Sequence, residues 1–280
     1  MDLDAVTALL PTRTSADVNE RLRHWCPGDA WLAGGTWLFS EPQPALRRLI
    51  DLSQLDWTPI EVRADGIEIA ATCTLAELQA VPASAQWPGV SLLARCCRAL
   101  LGSFKVWHEA TVGGNICLAL PAAPMVSLAA GLDGVGQIWS ADGGQRSVPI
   151  ADLVVGAGRT ALAEGDLLRS VFLPAVTLAD RVAFRQMSLN PHGRSAALLI
   201  GRAAASGAVT LTVTAATVRP VQLRFAYPPT AEQLSVELAA QIKPELYFAD
   251  GHGSLSWRRQ LTAQLAEQIR LELAAAGPAS

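Results

Sequence analysis

Two short stretches carry residue types suited to holding an anion: Ala33-Gly34-Gly35-Thr36 and Thr111-Val112-Gly113-Gly114-Asn115. Each reads as a turn at the end of a strand. Successive glycines reach positive φ without steric cost, so several backbone N–H groups can point into one concavity, and no Cβ blocks close approach of a ligand. Such a cradle suits a phosphate or diphosphate. Thr36, Thr111 and Asn115 add neutral donors. Lys and Arg are scarce nearby, which leaves backbone dipoles to carry most of the neutralisation. A lone Gly-Gly is most simply a tight turn; two matched loops in one chain favour a binding role.

Other chemistry finds less support. Gly156-Ala157-Gly158-Arg159-Thr160-Ala161 matches a dinucleotide fingerprint, but that motif needs a following helix, and Glu164-Gly165-Asp166 interrupts before one can form. His24, His108, His192 and His252 show no metal-ligand spacing, and no G-x-S-x-G elbow is present. The cysteines (Cys26, Cys73, Cys96, Cys97, Cys117) are odd in number and never spaced C-x-x-C, so they read as reduced structural thiols. No catalytic or metal-ligating residue is nominated. The net charge of −3, with 22 basic and 25 acidic residues and no long basic run, argues against nucleic acid. Charged residues are only 17% and hydrophobic ones 50%, which suggests surface covered by another chain. The acidic start MDLDAVTALL does not resemble an export signal, so a cytoplasmic location is expected. The uncharged run from Ala110 to Leu132 contains a Gly-Gly-Asn turn, Pro121 and Pro124. It reads as a buried cofactor loop entering a helix, and no membrane insertion is expected.

The elements that must position the loops are partly readable. A helix after Ser15 and a strand over AWLAGG lead into the first loop. RRLIDLS reads as another strand, and Ile60–Arg63 with Ile67–Ile69 as a hairpin. Thr74 and Glu77 form a capping box opening a short helix, and a longer helix is predicted from Pro88 to Gly102. GQIWSADGGQRSVPI reads as a hairpin turning at Asp142-Gly143-Gly144, and LLRSVFLP as a strand closed by Pro174. Beyond it come four strand-like runs, RVAFRQMS, SAALLIGRAAA, AVTLTVTAATVRP and VQLRFAY. Helices near 231–241 and 254–275 follow, then a tail, AAAGPAS.

In order and spacing the two loops, with Pro121, resemble the signature of the FAD-binding medium subunits of molybdenum hydroxylases, the xanthine dehydrogenase and carbon monoxide dehydrogenase family. Phe184-Arg185-Gln186 is similar to a family strand reading F-K-Q, and His252-Gly253-Ser254 with Trp257-Arg258-Arg259 to the family's C-terminal helix start. The resemblance implies that Ala33, Gly34, Gly35 and Thr36 grip an FAD diphosphate from one side and Thr111, Gly113, Gly114 and Asn115 from the other. Ile116, Leu120 and Pro121 would line the flavin pocket, and Arg185 would stand beside the flavin. The family often has aspartate where this chain has Trp37 and Pro124; Trp37 could instead cover a ring of the cofactor.

The fold implied is α+β, a two-part FAD-binding domain of the PCMH/vanillyl-alcohol-oxidase type followed by a smaller α+β C-terminal domain. The expected parts are 1–55, 56–175 and 176–280. The function implied is electron transfer through noncovalent FAD. A 2Fe-2S subunit would deliver electrons, a large molybdopterin-binding subunit would hydroxylate substrate, and NAD, oxygen or a quinone would accept. A self-sufficient FAD oxidoreductase, or a scaffold that has lost FAD, are the alternatives.

Overall fold

Thr14 opens the first helix by accepting from the Asp17 amide while Asp17 reaches back to the Thr14 amide, so two of the helix's orphan donors are satisfied locally. The computed structural model describes residues 5–191 and 193–275; His192 and the last five residues of the predicted tail lie outside them. Helix α1 (Ser15–Arg23) follows strand β1 (Ala8–Pro11) and leads to β2 (Asp29–Leu32) and β3 (Arg48–Asp51). The three strands form a parallel sheet in the order β1-β3-β2. Strand β1 was not expected: four residues ending in proline carry little local signal, and only pairing with β3 makes them a strand. Arg48 donates to both carboxylate oxygens of Asp29 at 2.6 Å, which ties β3 to the start of β2.

That bridge gives a pH prediction. Hydrogen bonding from Arg48, with a further bond from the Cys26 amide, holds the Asp29 carboxyl below its ordinary range. A depressed pKa contributes stability above the unfolded value of about 3.9 and loses it as pH falls through the folded value. Urea unfolding of Asp29→Asn should therefore show lower stability than the parent at pH 7, with the gap closing as the pH drops below 4.

A second sheet is antiparallel, in the order β4-β5-β10-β6-β7. The hairpin of β4 (Ile60–Arg63) and β5 (Gly66–Ala70) forms as predicted. Between β5 and β6 the chain leaves the sheet for five helices, α2 (Leu75–Gln79), α3 (Ser91–Ala99), α4 (Phe104–Glu109), α5 (Val112–Leu118) and α6 (Pro124–Gly131). Thr74 and Glu77 make the expected capping box, and the predicted helix after Pro88 is a single 3-10 turn followed by α3. Strands β6 (Val135–Trp139) and β7 (Gln145–Pro149) form the second hairpin. A short helix α7 (Ile150–Leu153) precedes β8 (Val154–Gly156) and β9 (Arg159–Thr160), which pair with each other. The dinucleotide-like fingerprint thus falls on a small hairpin with Gly158 at φ +66°. Strand β10 (Leu167–Pro174) closes the sheet.

After the short α8 (Ala175–Leu178), strands β11 (Arg181–Ser188), β12 (Ser195–Ala203), β13 (Val209–Thr214) and β14 (Val221–Phe225) form an antiparallel meander. Helices α9 (Ala231–Gln241) and α10 (Leu255–Ala275) complete it. Strand β12 is buried along its whole length because α10 covers one face and α6 the other. Arg202 on β12 pairs with Asp133 and Asp180, and Gln222 donates to the Ala130 carbonyl at 2.7 Å. Leu198 and Ile200 share a core cluster with α3, α5 and α6. Among the described residues no helix is long and apolar enough to cross a membrane.

Candidate functional site

Both glycine loops open onto one cavity of 660 Å³, within the range of cofactor and drug-sized pockets. Ala33, Gly34, Gly35, Thr36 and Trp37 line it from the end of β2, and Thr111, Gly113, Gly114, Asn115 and Leu120 line it from α5 and the segment after it. The first loop packs closely on the backbone just before the second: a Cβ at Gly34 would stand 1.5 Å from the Glu109 carbonyl oxygen. Gly113 instead packs on the residue after β5, where a Cβ would stand 2.5 Å from the Ala71 Cβ. Only Gly35 has the positive φ that the sequence suggested, at +65°.

Of the two loops, the first is the better donor. The amides of Gly34, Gly35, Thr36 and Trp37 make no backbone hydrogen bond among the described residues. Four consecutive unspent donors beside a left-handed glycine form a concavity suited to an anion. The second loop differs from expectation, because it is the first turn of α5 and its amides are spent. Gly113 donates to the Ala71 carbonyl at 2.8 Å, Gly114 to Thr111 Oγ1 at 3.1 Å, and Asn115 to the Thr111 carbonyl at 3.0 Å. Thr111 is the helix cap, and Asn115 Oδ1 accepts from the Met125 amide at 2.9 Å, opening α6. What this loop offers the cavity is room: Gly114 is exposed, and a Cβ there would meet only Thr111 Oγ1, at 3.0 Å.

Three nominated residues stand elsewhere. Ile116 is fully buried in the core beneath α5, and Pro121 is not among the cavity-lining residues. Arg185 is turned to α10, where it pairs with Glu272 at 2.6 Å and bonds Gln268 Oε1 at 3.1 Å. Strand alternation explains this: Phe184 packs against the main core and Gln186 donates to Ser195 Oγ, whereas Arg185 faces the opposite side.

Several lining residues carried no readable signal. Trp25 and Trp31 are among them, with ring centroids 5.1 Å apart, and Trp31 Nε1 donates to the Gly165 carbonyl. Asp166 lies beside them. Burial alone would raise its carboxyl, but hydrogen bonds from Arg146 and the Ala163 amide hold it below the ordinary range, so it is an ion-paired wall rather than a poised acid. Arg194 and Ser195, at the start of β12, line another part. Cys117 also lines the cavity and is exposed there as a free thiol. His108 is bonded to the Phe104 carbonyl, its ring tilted 49° against the Phe104 ring at 4.1 Å between centroids.

Residues 12–176 match the family described as the FAD binding domain in molybdopterin dehydrogenase. A 121-residue segment is 29% identical to xanthine dehydrogenase of Oryza sativa subsp. japonica, covering 41% of this chain and 9% of that protein. A 133-residue segment is 26% identical to xanthine dehydrogenase 1 of Arabidopsis thaliana, covering 45% of this chain and 10% of that protein. The match thus spans about a tenth of these curated relatives. Among solved structures, quinoline 2-oxidoreductase from Pseudomonas putida 86 superposes with a TM-score of 0.81 at 20% identity, covering 100% of both chains. Carbon monoxide dehydrogenase from Hydrogenophaga pseudoflava gives a TM-score of 0.81 at 17% identity, covering 98% of this chain and 99% of that one. At these identities the superpositions establish the shared fold.

Proposed function

The chain belongs to the FAD-binding domain family of the molybdopterin dehydrogenases, and from that premise we propose that it is the electron-transfer flavoprotein subunit of a molybdenum-dependent hydroxylase. The observation that carries the reading is the run of unspent amides from Gly34 to Trp37, on residues that line a cavity of cofactor size. Those amides would hold the diphosphate of noncovalent FAD, and Gly114 would leave it space. Trp25 and Trp31 would shelter one end of the dinucleotide. When bound, a flavin accepts electrons singly and releases them in pairs, which suits a post between one-electron and two-electron carriers. We assign the 2Fe-2S clusters and molybdopterin to partner subunits. We assign the acceptor, NAD, oxygen or a quinone, to a site outside this chain. Leu101 and Phe104, 54% and 77% exposed near the cavity, are the kind of apolar surface a partner would cover. The three parts divided near residues 55 and 175 belong to the same proposal, with the C-terminal sheet acting as the third wall.

A self-sufficient oxidoreductase would need an acid or base free to act on a substrate, and the lining carboxylate, Asp166, is committed to Arg146. The test is purification from the native host. The expected result is a yellow complex containing two further subunits, with flavin released on denaturation. A colourless chain that fails to quench added FAD fluorescence overturns the cofactor reading. A chain that emerges alone and oxidises a small molecule overturns the subunit reading.

A further inference from the structure

A diphosphate brings about two negative charges into the cavity. The charged side chains among the lining residues are Asp166, already paired with Arg146, and Arg194. Arg194 belongs to the segment between β11 and β12, is exposed, and enters no ion pair among the described residues. Its guanidinium lies 5.8 Å from the ring centroid of Trp37. Trp37 immediately follows Gly34-Gly35-Thr36 and ends the run of four unspent amides, so this cation stands at a side chain of that loop.

We propose that Arg194 is the side-chain cation that neutralises the diphosphate of the bound dinucleotide, carried to the first glycine loop by the C-terminal sheet. The inference rests on the FAD reading given above. A cation–π approach to Trp37 draws the guanidinium toward the loop, and its N–H fork matches phosphate oxygens bidentately. The base of the segment is fixed, because Ser195 follows directly, is buried, and accepts a hydrogen bond from Gln186 Nε2 at 2.9 Å. An aromatic residue after the glycine loop and an arginine on a distant strand turn thereby act as one device. Charge that the glycine loops lack comes from a part of the chain far away in sequence.

The experiment titrates FAD and, separately, ADP, which has the diphosphate without the flavin. The proteins are the parent, Arg194→Gln and Arg194→Lys. Arg194 is exposed, so neither variant threatens the fold. The glutamine variant should bind both ligands at least about tenfold more weakly, as expected for loss of a charge-assisted bond, with a shallower dependence on salt. The lysine variant should fall between, keeping the charge but losing the fork. Unchanged FAD affinity in Arg194→Gln overturns the proposal while leaving the FAD reading standing. Weakened FAD with unchanged ADP also overturns it, because the guanidinium would then act on the flavin end. A parent protein that binds neither ligand overturns both readings.

Discussion

Gly114→Val is expected to purify as a folded protein that no longer takes up FAD. The glycine sits in the first turn of α5 at an ordinary helical φ, so valine meets no backbone strain there. Its Cβ would approach only Thr111 Oγ1, at 3.0 Å. Disturbing that cap costs at most about 1–2 kcal/mol, and valine is no worse a helix former than glycine. The isopropyl group, however, would take up room in the cavity that Gly34–Trp37 also line, where on the proposed reading the diphosphate would lie. Flavin-fluorescence titration should find FAD affinity reduced beyond about a hundredfold, while far-ultraviolet circular dichroism and melting stay near the parent values. Gly34→Ala is the informative contrast. Its Cβ would collide with the Glu109 carbonyl, so the loops must separate, and binding and stability should fall together. Unchanged FAD affinity in a folded Gly114→Val protein would reduce this loop to a turn.

The contrast between the loops shows what a sequence can carry. Gly-Gly at 34–35 and 113–114 looks equivalent as text, and both pairs do reach the cavity. Which amides are spent depends on where α5 begins and on Cys73, Ala71 and Thr111 accepting from it, which is a matter of tertiary contact. Locally encoded features were legible: the Thr74/Glu77 capping box, the hairpin at Asp142-Gly143-Gly144, and the four strand-like runs after Pro174. Features that exist only through a partner were not. ALLP becomes a strand because β3 lies beside it, and Val154–Thr160 becomes a hairpin where the text resembled a nucleotide fingerprint. The arginines make the same point at the scale of one residue. Arg185 faces α10 by strand parity, and Arg194 lines the cavity from the position just before β12, where the sequence announces nothing.

Arg258→Met should be among the most destabilising single changes in the chain, although the residue touches no cofactor wall. Arg258 is 1% exposed, and its guanidinium donates to the carbonyls of Ala196, Ala215 and Gly253 and to Asp250. Methionine replaces much of the volume, so the loss is chiefly polar: buried carbonyls go unpartnered and Asp250 loses its ion pair. Breaking a buried, hydrogen-bonded charge pair costs about 3–5 kcal/mol. For a chain of this size that is a melting-temperature drop of roughly 10 °C. Arg258→Lys should fail to restore it, since one ammonium cannot reach the separate acceptors the fork serves. Ala196 follows Ser195 and Arg194, so loosening its carbonyl also loosens that cavity wall. Because FAD would bind only the folded state, excess FAD should recover part of the lost melting temperature in the variant. Calorimetric scans with and without FAD decide the matter. A drop below about 3 °C would show that solvent or neighbouring groups satisfy those carbonyls without the arginine.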